Sequence, residues 1–348
     1  MIDPMNLLTE QKIQALRSLV SAARKVTLAA HTHPDGDALG STSALALYLQ
    51  QLGKEVAVVL PDSPAPSLQF ILPAQVTFLC QDKEAEKAAA HIQASDLIIL
   101  LDCNAFSRTE GLQPLLSASK APKVLIDHHL NPDTDSFSLV FSTPDISSAS
   151  ELLYWILKDF SATLEMTALL AIGEALLAGM TTDTNNFANS VYPSTFRMAS
   201  ELIAMGVDRD ALLQKIYQSY RENRVRIMGY MQNEGMHILE EEGAAYMILT
   251  KEIQQRFGIL DGETEGLVNV PLTIGKVRLS ILLKEDGDHF RVSIRSKKGT
   301  SAQRLAATFF HGGGHENASG GKLYIGADVD TPEQAPAYLE KVLKTFLR

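Results

Sequence analysis

Short apolar segments alternate with helical segments through the first half of the chain, and this alternation limits the fold more than any other feature. The apolar segments predict strands at residues 26–30, 55–60, 76–80, 97–102 and 124–127. The intervening segments 38–52 and 84–93 have the pattern of helices. Nearly continuous apolar strands joined by helices predict a parallel sheet that is covered on both faces. The first half is therefore predicted to be an α/β domain.

Acids and histidines stand at the carboxyl ends of three of these strands, and one more acid follows a later helical stretch. They are His31, Asp35 and Asp37 after the first strand, Asp102 ending the fourth, Asp127, His128 and His129 at the end of the fifth, and Asp183. Open α/β sheets place their sites at the carboxyl ends of strands. Oxygen and imidazole ligands without cysteine suit Mn²⁺ or Mg²⁺ better than structural zinc. The pattern predicts a metal site and favours phosphoryl hydrolysis.

The composition excludes several classes of protein. The 348 residues are 45% hydrophobic and 21% charged, which is sufficient for two domains with cores of their own. No apolar run approaches the roughly 18 residues that cross a bilayer, and no secretion signal is recognisable, so we expect a cytoplasmic protein without a membrane partner. Two cysteines, Cys80 and Cys103, are too few for a disulfide framework. The net charge of −10 argues against tight binding of duplex nucleic acid.

The second half of the chain has a different pattern. Helices are predicted at 151–160, 166–179 and 193–205, and Asp208 is expected to cap a further helix that continues through a polar stretch near residues 220–226. Strands at 244–249, 277–284 and 290–295 follow, the last two as a hairpin, with helix 301–310, strand 322–325 and helix 332–346 behind them. The predicted organisation is an α/β domain at 1–205, a helical connector at 206–240 and a smaller mixed α+β domain at 241–348.

Several of these residues form recognisable motifs. One is His31-x-x-Pro34-Asp35-Gly36-Asp37-Ala38-x-Gly40-Ser41, a second is Asp127-His128-His129, and a third is Gly312-Gly-Gly-His315-x-x-Ala318-x-Gly320. With them the chain resembles the DHH phosphoesterase superfamily and its associated C-terminal domain. The length, the order of the domains and Thr182-Asp183-Thr184 are similar to the bifunctional nano-RNase and pAp phosphatase branch. The resemblance implies an active site in the cleft between the two domains.

The resemblance also implies a cluster of two Mn²⁺ ions, with Mg²⁺ or Co²⁺ as substitutes. One ion would be held by His31 and Asp35, the other by Asp37, His128 and Asp183, and Asp102 would bridge them. Converging carboxylates repel one another unless cations lie between them, which supports the same division. Two ions about 3.5–4 Å apart can activate a hydroxide and hold both the attacking and the departing oxygen. The catalytic residues would then be Asp102, Asp127, His128 and His129.

Neighbouring residues are expected to support this site. His129 would contact a substrate phosphate oxygen, and Asp127 would anchor it rather than bind metal directly. His33 points away from His31 if the segment is extended, so a supporting hydrogen bond is expected for it. Gly36 and Gly40 are expected to serve a tight turn and close helix packing instead of cradling a phosphate.

A second group of candidates lies in the C-terminal domain. An arginine and a serine hydroxyl group stand at the end of a predicted strand, where they could bind a terminal phosphate of the substrate. The exposed N–H groups of a glycine run could bind the same phosphate. A solvated basic hairpin end and a glycine helix cap are the structural alternatives. The predicted substrate-binding residues are His129, Arg295, Ser296, Gly313, Gly314 and His315; Glu316 and Asn317 follow where relatives often carry a basic residue.

The predicted function is hydrolysis of short single-stranded RNA to mononucleotides and of pAp to AMP and phosphate. Two to five nucleotides would fit a substrate that is bound by both domains. Hydrolysis of cyclic or linear dinucleotides, cleavage of polyphosphate or pyrophosphate, and non-catalytic nucleotide binding are alternatives. A homodimer is also left open.

Overall fold

The computed structural model describes residues 8–158, 160, 164–260 and 262–347. The chain divides into two units, of which the first ends at Ser219 and the second begins at Tyr220. Within the described residues, no helix has both the length and the apolar character needed to span a membrane.

The first unit contains a six-stranded parallel sheet, as the alternating pattern predicts. Its strands lie in the order β3-β2-β1-β4-β5-β6, so the direction of winding reverses between β1 and β4. Ligand sites of open α/β sheets lie at such a reversal. The strands are β1 (Lys25–Ala29), β2 (Glu55–Leu60), β3 (Thr77–Cys80), β4 (Leu97–Leu101), β5 (Lys123–Asp127) and the unpredicted short β6 (Leu139–Ser142).

Helices cover both faces of this sheet. Val58 shares a buried cluster with Leu49 and Ile156 from two helices, whereas its neighbour Val59 shares another cluster with Ile92. Adjacent strand residues point to opposite faces, which explains why these strands are apolar throughout. The helices are α1 (Glu10–Ala22), α2 (Gly36–Gln51), α3 (Gln81–Gln93), α4 (Gln113–Ala118), α5 (Ala149–Lys158), α6 (Met166–Asp183), α7 (Pro193–Met205) and α8 (Arg209–Tyr217).

Helices α2 and α6 approach each other through glycines. A Cβ atom at Gly36 would overlap Thr182, and one at Gly40 would lie 2.6 Å from the carbonyl oxygen of Ala175 and 2.8 Å from the Cα atom of Gly179. The predicted packing role of Gly36 and Gly40 is thus confirmed. The contact matters for the site because both helices carry candidate metal ligands.

We expect Gly40→Ala to lower the free energy of unfolding by about 1–3 kcal/mol, since the added methyl group meets backbone that cannot rotate away. Gly229→Ala in α9 (Glu222–Asn233) is the matched control, because no atom lies within 4 Å of its Cβ position. The control should raise stability by about 0.5–1 kcal/mol through higher helix propensity. Urea denaturation measures both. Equal effects of the two substitutions would show that α6 moves aside without loss.

The second unit contains a mixed six-stranded sheet in the order β11-β12-β10-β9-β8-β7, in which only β8 and β9 pair in parallel. Ile281 lies in a buried cluster with Leu305 and Leu339, and its neighbour Leu282 lies in another with Ile227 and Met231, so both faces are covered. Besides α9, the elements are β7 (Met236–Leu239), β8 (Ala244–Leu249), α10 (Lys251–Phe257), β9 (Leu279–Asp286), β10 (His289–Ser296), α11 (Ala302–Phe309), β11 (Gly313–Gly314), β12 (Ala318–Tyr324) and α12 (Ala335–Leu347).

Two segments differ from their predicted form. The segment 206–240, expected to be a connector with one long helix, contains α8 in the first unit and α9 and β7 in the second. The last strand is longer than predicted, because Gly313 and Gly314 pair with Gly320 and Ser319. Glycine has little strand propensity, so the sequence pattern hides this pairing.

Candidate metal centre

The first two candidate ligands stand on either side of the reversal in strand order. His31 follows β1, Asp102 follows β4, and the Nε2 atom of His31 lies 3.4 Å from Oδ2 of Asp102. Asp102 was predicted to end the strand, but it lies just outside it with a φ of 53°. Aspartate tolerates this left-handed conformation better than most residues. The N–H group of Asp102 donates to the carbonyl oxygen of Ile126, 3.0 Å away, which ties it to β5.

One group of three potential ligands consists of His31, Asp35 and Asp102. Each offers an atom, and these atoms lie within 4.8 Å of one another. Asp35 caps α2, because its Oδ1 atom accepts hydrogen bonds from the N–H groups of Asp37 and Ala38. The cap orients the Asp35 carboxylate toward His31, with 3.9 Å between Oδ1 and Nε2.

A second group consists of Asp37, His128 and Asp183, again with ligand atoms within 4.8 Å of one another. The Nε2 atom of His128 lies 3.9 Å from Oδ2 of Asp37 and 3.7 Å from Oδ2 of Asp183. It also lies 3.3 Å from Oδ1 of Asp102. The two oxygens of Asp102 therefore face the two groups, one oxygen to each.

His129 is oriented by Asp127. The Nδ1 atom of His129 lies 2.8 Å from Oδ1 of Asp127, and the His129 N–H group donates to Oδ2 at 3.0 Å. Asp127 is fully buried at the end of β5, so it can fix the ring as a second-layer carboxylate does. His33 lies outside these groups, since its backbone N–H group donates to Asp62 and its φ of 52° shows that the segment is not extended.

The protein groups perturb one another strongly. Burial acts to lower the pKa of His31, but Asp102 and Asp35 outweigh it and raise that pKa to about 9. Burial, reinforced by the charges of Asp102 and Asp183, raises the pKa of Asp37. Burial also acts to raise the pKa of Asp102, but the imidazoles of His128 and His31 hold it well below its usual range. The cluster therefore demands positive charge, whether from protons or from metal ions.

The residues fit divalent metal ions. The Oδ1 atom of Asp102 is buried and accepts no well-formed hydrogen bond from the described residues, although the Nε2 atom of His128 lies 3.3 Å away. Nδ1 of His31 lies 2.7 Å from the carbonyl oxygen of Thr32, so the ring can donate there and present the Nε2 lone pair to a metal. Because protons and metal ions compete for the same atoms, metal affinity should fall as the pH is lowered.

Arg108 is a candidate that the sequence reasoning missed. It lies, partly exposed, in a 3₁₀ helix (Phe106–Leu112) after β4, and its carbonyl oxygen accepts from the Thr32 N–H group at 2.8 Å. Its charge acts on two neighbouring groups. Burial raises the pKa of Cys103 to about 12, and the positive charge of Arg108 opposes that rise. The same charge opposes the rise in the pKa of His31. Within the described residues, no carboxylate forms an ion pair with its guanidinium group. Only its position after a ligand-bearing strand could have pointed to it.

The structure also groups most of the C-terminal candidates. Arg295 on β10 is paired with Ala318 on β12, and Ala318 exchanges two backbone hydrogen bonds with His315, at 2.8 and 3.3 Å. These bonds close the turn that follows Gly313 and Gly314. The arginine, the imidazole and the glycine strand thus belong to one end of this sheet.

The fold requires some glycines of the run 312–314 but not all of them. Gly314 has a φ of 139°, and a Cβ atom there would lie 2.8 Å from the carbonyl oxygen of Ala318, so the hairpin requires glycine. A Cβ atom at Gly312 would overlap the carbonyl oxygen of Gly320. Gly313 is exposed with nothing within 4 Å of its Cβ position. The fold explains Gly312 and Gly314 but not Gly313.

Ser296, one of the predicted substrate-binding residues, makes a structural contact. It is buried on the face of β10 opposite Arg295, and its hydroxyl group donates to the carbonyl oxygen of Thr300 at 2.6 Å. The Asn317 amide donates back to that hydroxyl oxygen at 3.0 Å, and Glu316 accepts from Ser301 at 2.8 Å. We therefore assign Ser296, Glu316 and Asn317 to holding the turn in place.

Comparison with known proteins gives the class. The DHH family, N-terminal domain, matches residues 25–180, and the DHHA1 domain matches residues 245–347. The chain therefore belongs to the DHH phosphoesterase family, as its motifs predict, and its two sheets are those of a two-domain α/β DHH fold.

Its relatives specify the branch. The chain is 29% identical to the bifunctional oligoribonuclease and PAP phosphatase NrnA of Bacillus subtilis, over 92% of this chain and 95% of the relative. It is 28% identical to the protein of the same name from Thermus thermophilus, over 92% of this chain and 90% of the relative. The crystal structure of an exopolyphosphatase-related protein from Bacteroides fragilis is 35% identical, with a TM-score of 0.88 and 97% coverage of both chains.

Proposed function

We propose that this phosphoesterase uses two Mn²⁺ ions to hydrolyse short oligoribonucleotides to mononucleotides and pAp to AMP and phosphate. The observation that carries the proposal is the pair of ligand groups on either side of the Asp102 carboxylate, which has one oxygen 3.4 Å from His31 and the other 3.3 Å from His128. The NrnA relatives, which match nearly the whole chain and are named for both activities, support the choice of substrates.

The chain's own residues have separate roles in this proposal. His31 and Asp35 would hold one ion, Asp37, His128 and Asp183 would hold the other, and Asp102 would contact both. Ions bound there would supply an activated water and stabilise charge on the departing oxygen. His129, oriented by Asp127, donates to a phosphate oxygen of the substrate. The guanidinium group of Arg108 contacts the same phosphate group, since no carboxylate among the described residues pairs with it and an anion would supply that partner.

The C-terminal domain carries candidate groups for binding a terminal phosphate. Arg295 offers a bidentate contact to a terminal phosphate, and His315 lies beside it at the same end of the sheet. No atom lies within 4 Å of the Cβ position of Gly313, so a phosphate or a sugar could approach the main chain there. Gly314 adopts the positive φ that the hairpin requires.

A substrate panel tests the proposal. Purified protein with Mn²⁺ is incubated with pAp, linear diadenylate, cyclic diadenylate, oligoribonucleotides of two to ten or so residues, and polyphosphate, and products are separated by chromatography. Mononucleotide release that is fastest from the shortest chains, together with release of phosphate from pAp, is the expected result. Preferred cleavage of cyclic diadenylate or of polyphosphate would replace the substrate assignment. Binding without turnover of any member would contradict catalysis.

We expect Arg295→Ala to raise the KM for 5′-phosphorylated dinucleotides more than for unphosphorylated ones. The difference should correspond to about 1.5–3 kcal/mol, the value of a lost charge-assisted contact. Arg291→Ala is the matched control, because this arginine lies on the same face of β10 and pairs with Asp286 at 2.6 Å. Steady-state kinetics on both dinucleotides give the comparison. An equal rise for the two substrates would remove Arg295 from terminal phosphate binding.

A further inference from the structure

Glu151 is a fully buried carboxylate in the first turn of α5. Its Oε2 atom accepts hydrogen bonds from the Ser147 N–H group at 3.1 Å, from the Ser147 hydroxyl group, and from the Thr195 hydroxyl group at 2.8 Å. Its Oε1 atom accepts from the Trp155 indole at 3.3 Å. In the described part of the chain no cation is paired with it. Burial of an uncompensated carboxylate is costly, so this network requires an explanation.

The amino end of α5 is also where Asp37 is bound. Its Oδ2 atom accepts from the Ala149 N–H group at 2.7 Å, and its Oδ1 atom accepts from the Ser150 N–H group at 2.9 Å. Both N–H groups belong to the first turn of α5, where the donors have no partner within the helix. Because both oxygens are held, the direction of the Asp37 carboxylate is determined by where this helix end lies.

We infer that Glu151 is a positioning residue for Asp37, acting through the amino end of α5. Glu151 holds Ser147, whose chain leads directly into Ala149 and Ser150, so it fixes the donors that hold Asp37. Thr195 extends the network to α7, since its hydroxyl oxygen also accepts from the Tyr192 N–H group at 3.0 Å. The Glu151 carboxylate thus connects α7 to the amino end of α5, and the N–H groups at that end hold Asp37.

The tight packing around Asp37 leaves it little freedom to compensate. A Cβ atom at Gly179 of α6 would overlap Ser150 and would lie 3.0 Å from Oδ1 of Asp37. The side chain of Asp37 is 0% exposed. A shift of the amino end of α5 therefore changes the angle at which Asp37 meets a metal ion. Partners that orient metal ligands typically change affinity 10–100-fold when they are lost.

The inference rests on the proposed function, because it takes Asp37 as a metal ligand. The test measures Mn²⁺ affinity of the metal-free full chain by isothermal titration calorimetry, without substrate. Glu151→Gln should weaken Mn²⁺ binding by about tenfold or more, because the amide cannot accept all four hydrogen bonds. Thr195→Val should weaken it less, and Thr195→Ser, which keeps the hydroxyl group, should restore wild-type affinity.

Tyr154→Phe is the matched control on the same helix. It removes the hydrogen bond from Tyr154 to Glu201 but keeps the ring, which packs edge-on against Trp155 with 4.9 Å between the ring centroids. The control should lower the Tm without changing Mn²⁺ affinity. The rise in Tm that saturating Mn²⁺ produces should be smaller in Glu151→Gln than in wild type, whereas a merely structural role would lower the Tm equally with and without the ion.

Two results separate the inference from the proposed function. Wild-type Mn²⁺ affinity in both Glu151→Gln and Thr195→Val, with weak binding in Asp37→Asn, would overturn the inference alone. Wild-type affinity in Asp37→Asn would overturn the proposed role of Asp37 as a metal ligand. Should Glu151→Gln fail to fold, the contrast between Thr195→Val and Thr195→Ser decides, and equal affinities in these two would refute the role of the network.

Discussion

Asp102→Asn should reduce kcat/KM at saturating Mn²⁺ to about a hundredth of wild type or less, a loss of at least about 2.7 kcal/mol of transition-state stabilisation. The physical reason is that one carboxylate faces both ligand groups, at 3.4 Å from His31 and 3.3 Å from His128. The substitution removes the charge that both ions would share. Asparagine tolerates the left-handed conformation at this position, so the backbone should persist.

The measurement is steady-state hydrolysis of pAp and a dinucleotide, together with the number of Mn²⁺ ions bound per chain. Asp127→Asn is the matched control, since this buried acid contacts His129 and should impair activity less while leaving both ions bound. Activity above about a hundredth in Asp102→Asn, or an unchanged stoichiometry, would refute the bridging role of Asp102.

Arg108→Ala should produce the second large effect. We expect kcat/KM to fall by about 10–150-fold, which corresponds to a lost charge-assisted contact of about 1.5–3 kcal/mol. Arg108→Lys should be intermediate, because lysine keeps the charge but cannot make a bidentate contact. Mn²⁺ affinity should not decrease, since the charge of Arg108 opposes positive charge on His31.

The decisive comparison is between affinity for the metal and affinity for the substrate. Mn²⁺ titration and steady-state kinetics of Arg108→Ala and Arg108→Lys supply both quantities. Weaker Mn²⁺ binding with the same kcat/KM at saturating Mn²⁺ would assign Arg108 to the loop around His31 and Thr32 instead of to the substrate. Unchanged kinetics would exclude any contact with the phosphate group.

The parallel sheet and the position of its site could be predicted because both depend on local patterns. Apolar strands joined by helices require burial on two faces, and parallel strands bring all their carboxyl ends to one edge. His31, Asp102 and His128 stand at such ends, so their proximity follows from the strand assignments alone. The hairpin of β9 and β10 was equally predictable, because its turn requires the glycine at 287, whose φ is 67°.

Other features depend on contacts between segments far apart in sequence. Periodicity carries no information on pairing partners, so neither the pairing of Gly313 and Gly314 with β12 nor the division of segment 206–240 between two units was predicted. Ser296 was judged by its residue type, whereas the structure buries its hydroxyl group against Thr300.

The sequence by itself determined the family, the parallel sheet and which acids and histidines meet at its edge, since motif spacing and hydrophobic period are local properties of the chain. Only the tertiary structure decided how those groups are oriented. One example is the Asp102 carboxylate, whose two oxygens face two ligand groups. Another is Arg108, which forms no ion pair with a carboxylate of the described residues. A third is the way in which Glu151 fixes the helix end that binds Asp37. Each depends on distances between side chains from separate elements, and those distances exist only after the elements have packed.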